Sequence, residues 1–342
     1  MSTRNLTVAS APHITSGVTT RHLMVAVCIA LCPTLLASAF IFGWRVLLLA
    51  GVTVSTCVGF EYLYCLALKK PVTIGDFSAV VTGLILAFNL PPSFPLWMAT
   101  IGSFVSIVLV KELFGGIGYN FANPALVGRI VLHLGFTAAM IDYTYPQTLG
   151  GVDALATATP LAVNSPQTVP LIDLLLGTHG GVLGETCMIA LILGGIGLIL
   201  FKVMSASIPV VYIGSVYLLK VLLDFFIAMA QNGAGAALAA FGGIAYSGVL
   251  YVLSGGIVFA AFFMATDYST SPYALKGKLV FAAGFAVLTV FLRQWGKMAE
   301  GVSYALLIMN LLVPHINNHF RQEPLGAKKK TRRPAKQKKE AV

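Results

Sequence analysis

Charge is scarce in this sequence. Acidic and basic residues together fill 10% of its 342 positions, against about 25% in soluble domains. So little charge cannot clothe a water-facing surface, which excludes an ordinary soluble domain. Nucleotide-handling signatures are also missing. No Gly-x-x-x-x-Gly-Lys-Ser/Thr loop, no Gly-x-Gly-x-x-Gly fingerprint and no catalytic triad is found. No nucleotide hydrolysis therefore drives this chain, and no dinucleotide binds it. Paired cysteines are lacking too. The five cysteines stand at 28, 32, 57, 65 and 187 without a Cys-x-x-Cys pair, so they read as buried structural residues and not as metal or cluster ligands. His315 and His319 are four apart but lie at a membrane end, which suits interface residues. The basic run Lys328 to Lys339 contains no aromatic residue, so a base-stacking nucleic-acid module is excluded.

Long apolar runs are what the sequence does have. Hydrophobic residues make up 57% of the chain, and a helix needs about 20 of them to span a bilayer. Ten stretches qualify: 23–43, 46–68, 73–90, 95–114, 124–140, 185–203, 207–229, 243–265, 278–294 and 301–316. The first exceeds a signal-peptide core and lacks a clear cleavage site, so it reads as an uncleaved span. The predicted fold is all-α: a polytopic membrane protein of about ten helices in two inverted five-helix repeats. Residues 1–22 form a cytoplasmic segment and 23–140 the first repeat. Residues 141–184 form an outer loop, 185–317 the second repeat and 318–342 a basic cytoplasmic tail. Leu90-Pro-Pro92 and Asp267 to Pro272 close the third stretch of each half. An odd number of spans per half inverts the second half, and such repeats place sites at their interface.

Several constellations carry chemistry. Gly115-Gly116-Ile117-Gly118 with Asn120 and Asn123 follows a span. Glycine allows close backbone approach, and asparagine offers donors and acceptors to a ring edge. The competing reading is a tight turn with a helix start at Asn123-Pro124. Glu112, Glu185 and Asp267 are acids in or beside apolar sequence. A carboxylate there is costly and faces a cavity or a partner. Glu112 and Asp267 are the ion-coupling candidates. Arg129 and His133 share a helix face; they could hold a phosphate or a carboxylate, or Arg129 could snorkel to the interface. The loop Asp153-Ala-Leu-Ala-Thr157-Ala-Thr159-Pro160 offers two hydroxyls among small residues.

That loop resembles the flavin-attachment motif of the RnfD/NqrB family of membrane subunits. Asp153, Ala158, Thr159 and Pro160 fit the family pattern; Ala156 and Thr157 stand where serine and glycine are common. Further likenesses are Ala11 to Gly17, Gly115 to Ala125, Leu183 to Thr186, Phe262 to Pro272 and Glu300 to Asn310, in order, over about residues 10 to 320. The resemblance implies an inner-membrane subunit, bacterial or archaeal, of a redox-driven Na+ or H+ pump. Such a complex is a translocase working between ferredoxin and NAD. It implies FMN bound covalently to the Thr159 hydroxyl by a separate flavin transferase, with Asp153 in the motif. It implies a second, non-covalent flavin, riboflavin, and a flavin environment that includes Gly118, Asn120, Asn123 and Arg129. The implied partners are the other membrane, flavin and iron-sulfur subunits of an Rnf complex, and membrane lipid, with no nucleic acid and no metal bound by this chain. The alternative is a secondary transporter or channel with inverted repeats and no redox cofactor, which would not require the Thr159 loop.

Orientation follows from lysine and arginine, which are retained on the cytoplasmic side. With the amino terminus inside, seventeen of the 22 fall inside and only Arg45, Arg293 and Lys297 outside, with Arg129 and Lys220 within spans. Reporter fusions after Met140 and after Val342 check this. The first should report the outer side and the second the cytoplasm; an outer signal from the Val342 fusion would invert the topology.

Overall fold

The computed structural model describes residues 17–142, 170–177, 179–185, 187–296 and 301–321. Among these residues every regular element is a helix. The first half contains α1 (Thr20–Phe42), α2 (Arg45–Ala67), α3 (Ser78–Phe88), α4 (Leu96–Phe104), α5 (Pro124–Gly135) and the short α6 (Thr137–Met140). After α7 (Leu171–Leu176), the second half contains α8 (Met188–Leu200), α9 (Ser207–Asn232), α10 (Ala234–Ala239), α11 (Phe241–Leu253), α12 (Ile257–Phe259), α13 (Leu275–Gln294) and α14 (Gly301–His319). Two segments are π-helical: Val105–Glu112 continues α4, and Ala260–Met264 continues α12.

Each of the ten predicted stretches is helical, but they are not ten equal spans. Among the described residues only α1, α2, α9 and α13 are long and apolar enough alone to cross a membrane. The pair formed by α11 and Ile257–Met264 makes a fifth, bent by 63° at its break. The stretch read as 73–90 holds only the eleven residues of α3, after a 3-10 turn at Ile74–Asp76 and a left-handed Phe77. Eleven residues rise about 16 Å, roughly half the hydrocarbon core. Hydropathy does not register such a break, because Phe77 and the apolar residues that follow outweigh Gly75, Asp76 and Ser78 in the average over the stretch. The last helix runs to His319, through Pro314 and past the end of the stretch read as 301–316. A proline inside a packed membrane helix is tolerated when surrounding groups resupply the freed carbonyl.

The halves share a packing scheme. In the first, α2 packs against α3 and α4, and α4 against α5. In the second, α9 packs against α11 and α13, and α13 against α14. The first helices of the two halves, α1 and α8, pack on each other. The half-length α3 lies at the centre, with nine of its eleven residues buried. It touches α12 of the second half through the rings of Phe88 and Phe259, whose centroids are 5.8 Å apart.

Close approach explains the small residues here. A Cβ on Gly83 of α3 would stand 2.7 Å from the Val54 Cα and 3.0 Å from the Thr53 carbonyl oxygen, whereas one on Gly51 would meet nothing within 4 Å. Gly83→Val should therefore lower the thermal stability of the detergent-solubilised protein, at a cost of about 1–3 kcal/mol from overpacking. Gly51→Val should stay within about 0.5 kcal/mol of the parent. Equal melting curves for the two variants would contradict this α2–α3 packing.

Candidate functional site

Lys69, Lys70, Lys111, Lys202, Lys276 and Lys278 gather at one end of the bundle and make it basic. A cleft opens there, between the halves, and part of its space is open to solvent. Its apolar wall comes from α1 (Leu23, Met24, Val27), α3 (Val81, Ile85) and the second π-helix (Phe262, Phe263). Its polar groups come from Ser78, Thr82, Lys111, Asn120, Asn123, Thr266, Asp267 and Ser269. An apolar slot edged by a few fixed polar groups is the usual form of an organic-ligand site.

The Gly115 to Asn123 segment builds one rim. Gly115, Gly116 and Gly118 have φ of 119°, 90° and 90°, a region that side chains resist. The chain thereby turns back from the first π-helix and delivers Asn123 to the start of α5. The Asn123 Oδ1 accepts from the N–H groups of Ala125 (3.1 Å) and Leu126 (3.3 Å), with Pro124 in the first turn. The helix-start reading is therefore correct, and the same residue also lines the cleft. Its Nδ2 donates to the Met264 carbonyl at 3.5 Å. Asn310, with its amide oriented to satisfy both groups, donates to the Thr270 carbonyl (3.2 Å) and accepts from the Asn123 N–H (3.3 Å). These bonds join α5, α14 and the second π-helix around the rim.

The other side of the mouth is an ion cluster. Lys111, at the end of the first π-helix, places its Nζ 2.7 Å from Glu61 Oε2 and 2.7 Å from Ser78 Oγ. Glu61 is fully buried, and its Oε1 accepts from Thr73 Oγ1 at 2.6 Å. Ser78 in turn donates to Asp76 at 2.7 Å. Glu112 lies behind, its Oε1 3.7 Å from Lys111 Nζ and without a hydrogen-bond partner among the described residues. Two carboxylates share one ammonium, a surplus of one negative charge when all three are ionised. A proton or a small cation could balance it. Sequence reading missed Glu61, although a lone acid inside the apolar run 46–68 was a sufficient signal.

The other candidates fall as follows. Asp267 lines the cleft, and its oxygens accept from Ser269 N–H (3.4 Å), Ser269 Oγ (3.0 Å) and Thr270 Oγ1 (3.2 Å). Burial pushes its carboxyl above the ordinary value, and these donors oppose that shift. Asn120 lines the cleft and donates to the Ala122 carbonyl at 3.0 Å. Gly118 shapes the turn without lining the cleft. Arg129 is not part of the cleft: it is buried, and its Nη1 donates to Asn89 Oδ1 at 2.8 Å, at the far end of α3. His133 faces Tyr304. Asp153 and Thr159 lie outside the described residues.

Helical breaks, an interface between similarly packed halves and apolar helices define a multi-pass membrane protein with a polar-edged cleft between its halves. Residues 7–326 match the family model described as NQR2, RnfD, RnfE. The chain belongs to that family. It is 36% identical to the D subunit of the Na+-translocating ferredoxin:NAD+ oxidoreductase complex of Acetobacterium woodii, over 96% of this chain and 98% of the relative. It is also 36% identical to the D subunit of the proton-translocating ferredoxin:NAD+ oxidoreductase complex of Clostridium ljungdahlii, over 94% and 97%. Identity to the D subunit of the ion-translocating oxidoreductase complex of Vibrio atlanticus is 31%, over 93% and 99%.

Removing one partner of a buried ion pair strands the other. Glu61→Gln or Lys111→Met alone should each destabilise the protein by about 3–5 kcal/mol, and the double variant should recover part of that loss. Thermal unfolding in detergent measures all three. Additive losses in the double variant would show that the two residues act independently.

Proposed function

We propose that this chain is the flavin-bearing membrane subunit of an ion-translocating ferredoxin:NAD oxidoreductase complex. The observation that carries the reading is the full-length likeness to the relatives from three organisms. The basic end faces the cytoplasm, and the end that carries residues 141–184 faces outward. Thr159 holds FMN through a phosphoester made by a flavin transferase. Ferredoxin and NAD bind partner subunits with their own flavins and iron-sulfur centres, since this sequence has no dinucleotide loop.

The cleft suits a second flavin, riboflavin. An isoalloxazine needs an apolar slot for its faces and polar groups for its edge. Phe262, Phe263, Val81 and Ile85 supply the first; Asn120, Asn123, Ser78 and Lys111 supply the second. The flavin would contribute one- and two-electron transfer when bound. The protein's own part is orientation and charge. Lys111 puts a cation at the slot, and Glu61 and Ser78 hold that cation in place. Asp267 and Glu112 supply negative charge beside the slot. Coupling then follows from electrostatics: a change of charge on the ring alters the affinity of these carboxylates for Na+ or H+.

Flavin attachment is the most direct test. A phosphoester needs a hydroxyl, and Thr157 and Thr159 both carry one. With the flavin transferase co-expressed, Thr159→Ala should abolish ultraviolet fluorescence of the denatured chain in a gel and stop electron transfer through the complex. Membrane insertion should survive. Thr157→Ala should keep the fluorescence. The reverse pattern would move the site by two residues, and a wild-type chain without covalent flavin would favour a transporter without redox chemistry.

A further inference from the structure

Away from the cleft, at the opposite end of the bundle, one buried titratable group has no task in the reading above. His179 lies between α7 and the 3-10 turn Leu183–Glu185, and is only 6% exposed. Its Nδ1 is 3.2 Å from the Asp173 carbonyl oxygen. A carbonyl only accepts, so Nδ1 carries the proton and Nε2 presents its lone pair. That Nε2 is buried and meets no hydrogen-bond partner among the described residues.

Two glycines define what surrounds it. A Cβ on Gly181 would lie 3.1 Å from Glu185 Oε2 and 4.0 Å from His179 Cδ2, the ring carbon bonded to Nε2. The carboxylate and the acceptor edge of the imidazole thus border one small space, which any side chain at position 181 would fill. A Cβ on Gly256 would lie 3.7 Å from Glu185 Oε1 and 4.0 Å from Arg129 Nη1. The two oxygens of Glu185 therefore face two different bases across two glycines. Arg129 belongs to the repeat interface, where it holds Asn89 at the end of α3. Gly256 belongs to the break between α11 and α12, where Arg293 of α13 donates to the Ser254 carbonyl at 3.3 Å.

We propose that His179 and Glu185 form a proton-exchange pair at the outer end of the repeat interface, with His179 Nε2 as proton acceptor and Glu185 as a counter-ion shared with Arg129. A proton from the outer aqueous phase adds to the Nε2 lone pair, giving an imidazolium with both nitrogens protonated; loss of that proton to the same phase restores the neutral ring. The positive charge draws on the Glu185 carboxylate and loosens its hold on Arg129. Protonation outside is thereby felt at Asn89, where α3 meets α12. Asp173 on α7 acts on the ring directly, Glu185 faces it across Gly181, and Arg129 on α5 lies beyond Glu185 across Gly256. Burial holds the imidazole below its ordinary value, and the Asp173 carbonyl and charge oppose that shift.

The pair rests on the orientation adopted above and not on the flavin assignment. Inverted vesicles containing the whole complex expose the cytoplasmic face and enclose the outer one. They are loaded with buffers between about pH 5.5 and 8.5, and NAD+ reduction by reduced ferredoxin is followed from outside. The wild-type rate should titrate with lumenal pH as a single site, changing up to about tenfold per unit. His179→Asn keeps a donor for the Asp173 carbonyl and removes the Nε2 acceptor; its lumenal-pH dependence should shrink to below about twofold. Glu185→Gln removes the counter-ion and should move the wild-type midpoint to lower pH, a displacement that a purely structural residue would not produce. An unchanged midpoint and slope in His179→Asn, or no lumenal-pH dependence in the wild type, overturns the pair. In-gel fluorescence on the same vesicles reads the flavin assignment separately.

Discussion

A helix interrupted inside lipid leaves carbonyls that water cannot reach, and each must find a donor within the protein. The whole interior of this chain is organised around that requirement. The Leu90 carbonyl, just past the end of α3, accepts from the Leu183 N–H at 3.2 Å. The Ser254 carbonyl, at the break after α11, accepts from Arg293, and the Met264 carbonyl, at the end of the second π-helix, accepts from Asn123. At the end of the bundle away from the cleft, the Ser93 carbonyl accepts from Arg45 at 3.0 Å. Most of these donors come from a distant part of the sequence. The breaks therefore do more than interrupt helices: satisfying them stitches the two halves together.

The polar groups gathered by this stitching are the ones available for chemistry. At the basic end the amino-terminal turn of α3 meets Asp76, Lys111 and Glu61. At the opposite end the start of α12 lies beside Glu185 and Arg129. Each broken element thus begins next to an acid and a base, on opposite sides of the bundle, as an inverted repeat would arrange them. Helix starts favour nearby negative charge, and a buried base stands near each: Lys111 at α3 and Arg129 at α12.

Much of this was legible in the residues. Scarce charge and long apolar runs announced a helical membrane protein, and all ten apolar stretches are helical. Asn123-Pro124 announced a helix start, and three glycines before it announced a turn that only glycine accepts. Other features were hidden for physical reasons. The break before α3 and the break at Ser254 to Gly256 occupy only a few positions in stretches whose average stays apolar, so 73–90 and 243–265 read as continuous spans. Glu61 and Lys111 are fifty residues apart, and no local spacing connects them. Arg129 was open to a phosphate, a carboxylate or the interface, because its charge was evident and its partner was not; that Asn89 would take its Nη1 depends on how α3 and α5 pack. Local pattern reports what a segment is, while these contacts depend on what it meets.

The π-helix at Val105–Glu112 has a consequence of a different kind. Its bonds run five residues back, as from the Leu113 N–H to the Val108 carbonyl at 3.0 Å. A π turn is an α turn that has absorbed a surplus residue. Take one residue out, and the segment could relax to ordinary α geometry, while everything beyond would swing by about 100° around the axis. Lys111 would then face away from Glu61 with no side chain altered. The ammonium's position is written as a count of residues rather than as their identities. A family can therefore exchange most of the apolar letters in this segment freely, yet remain intolerant of a change in its length.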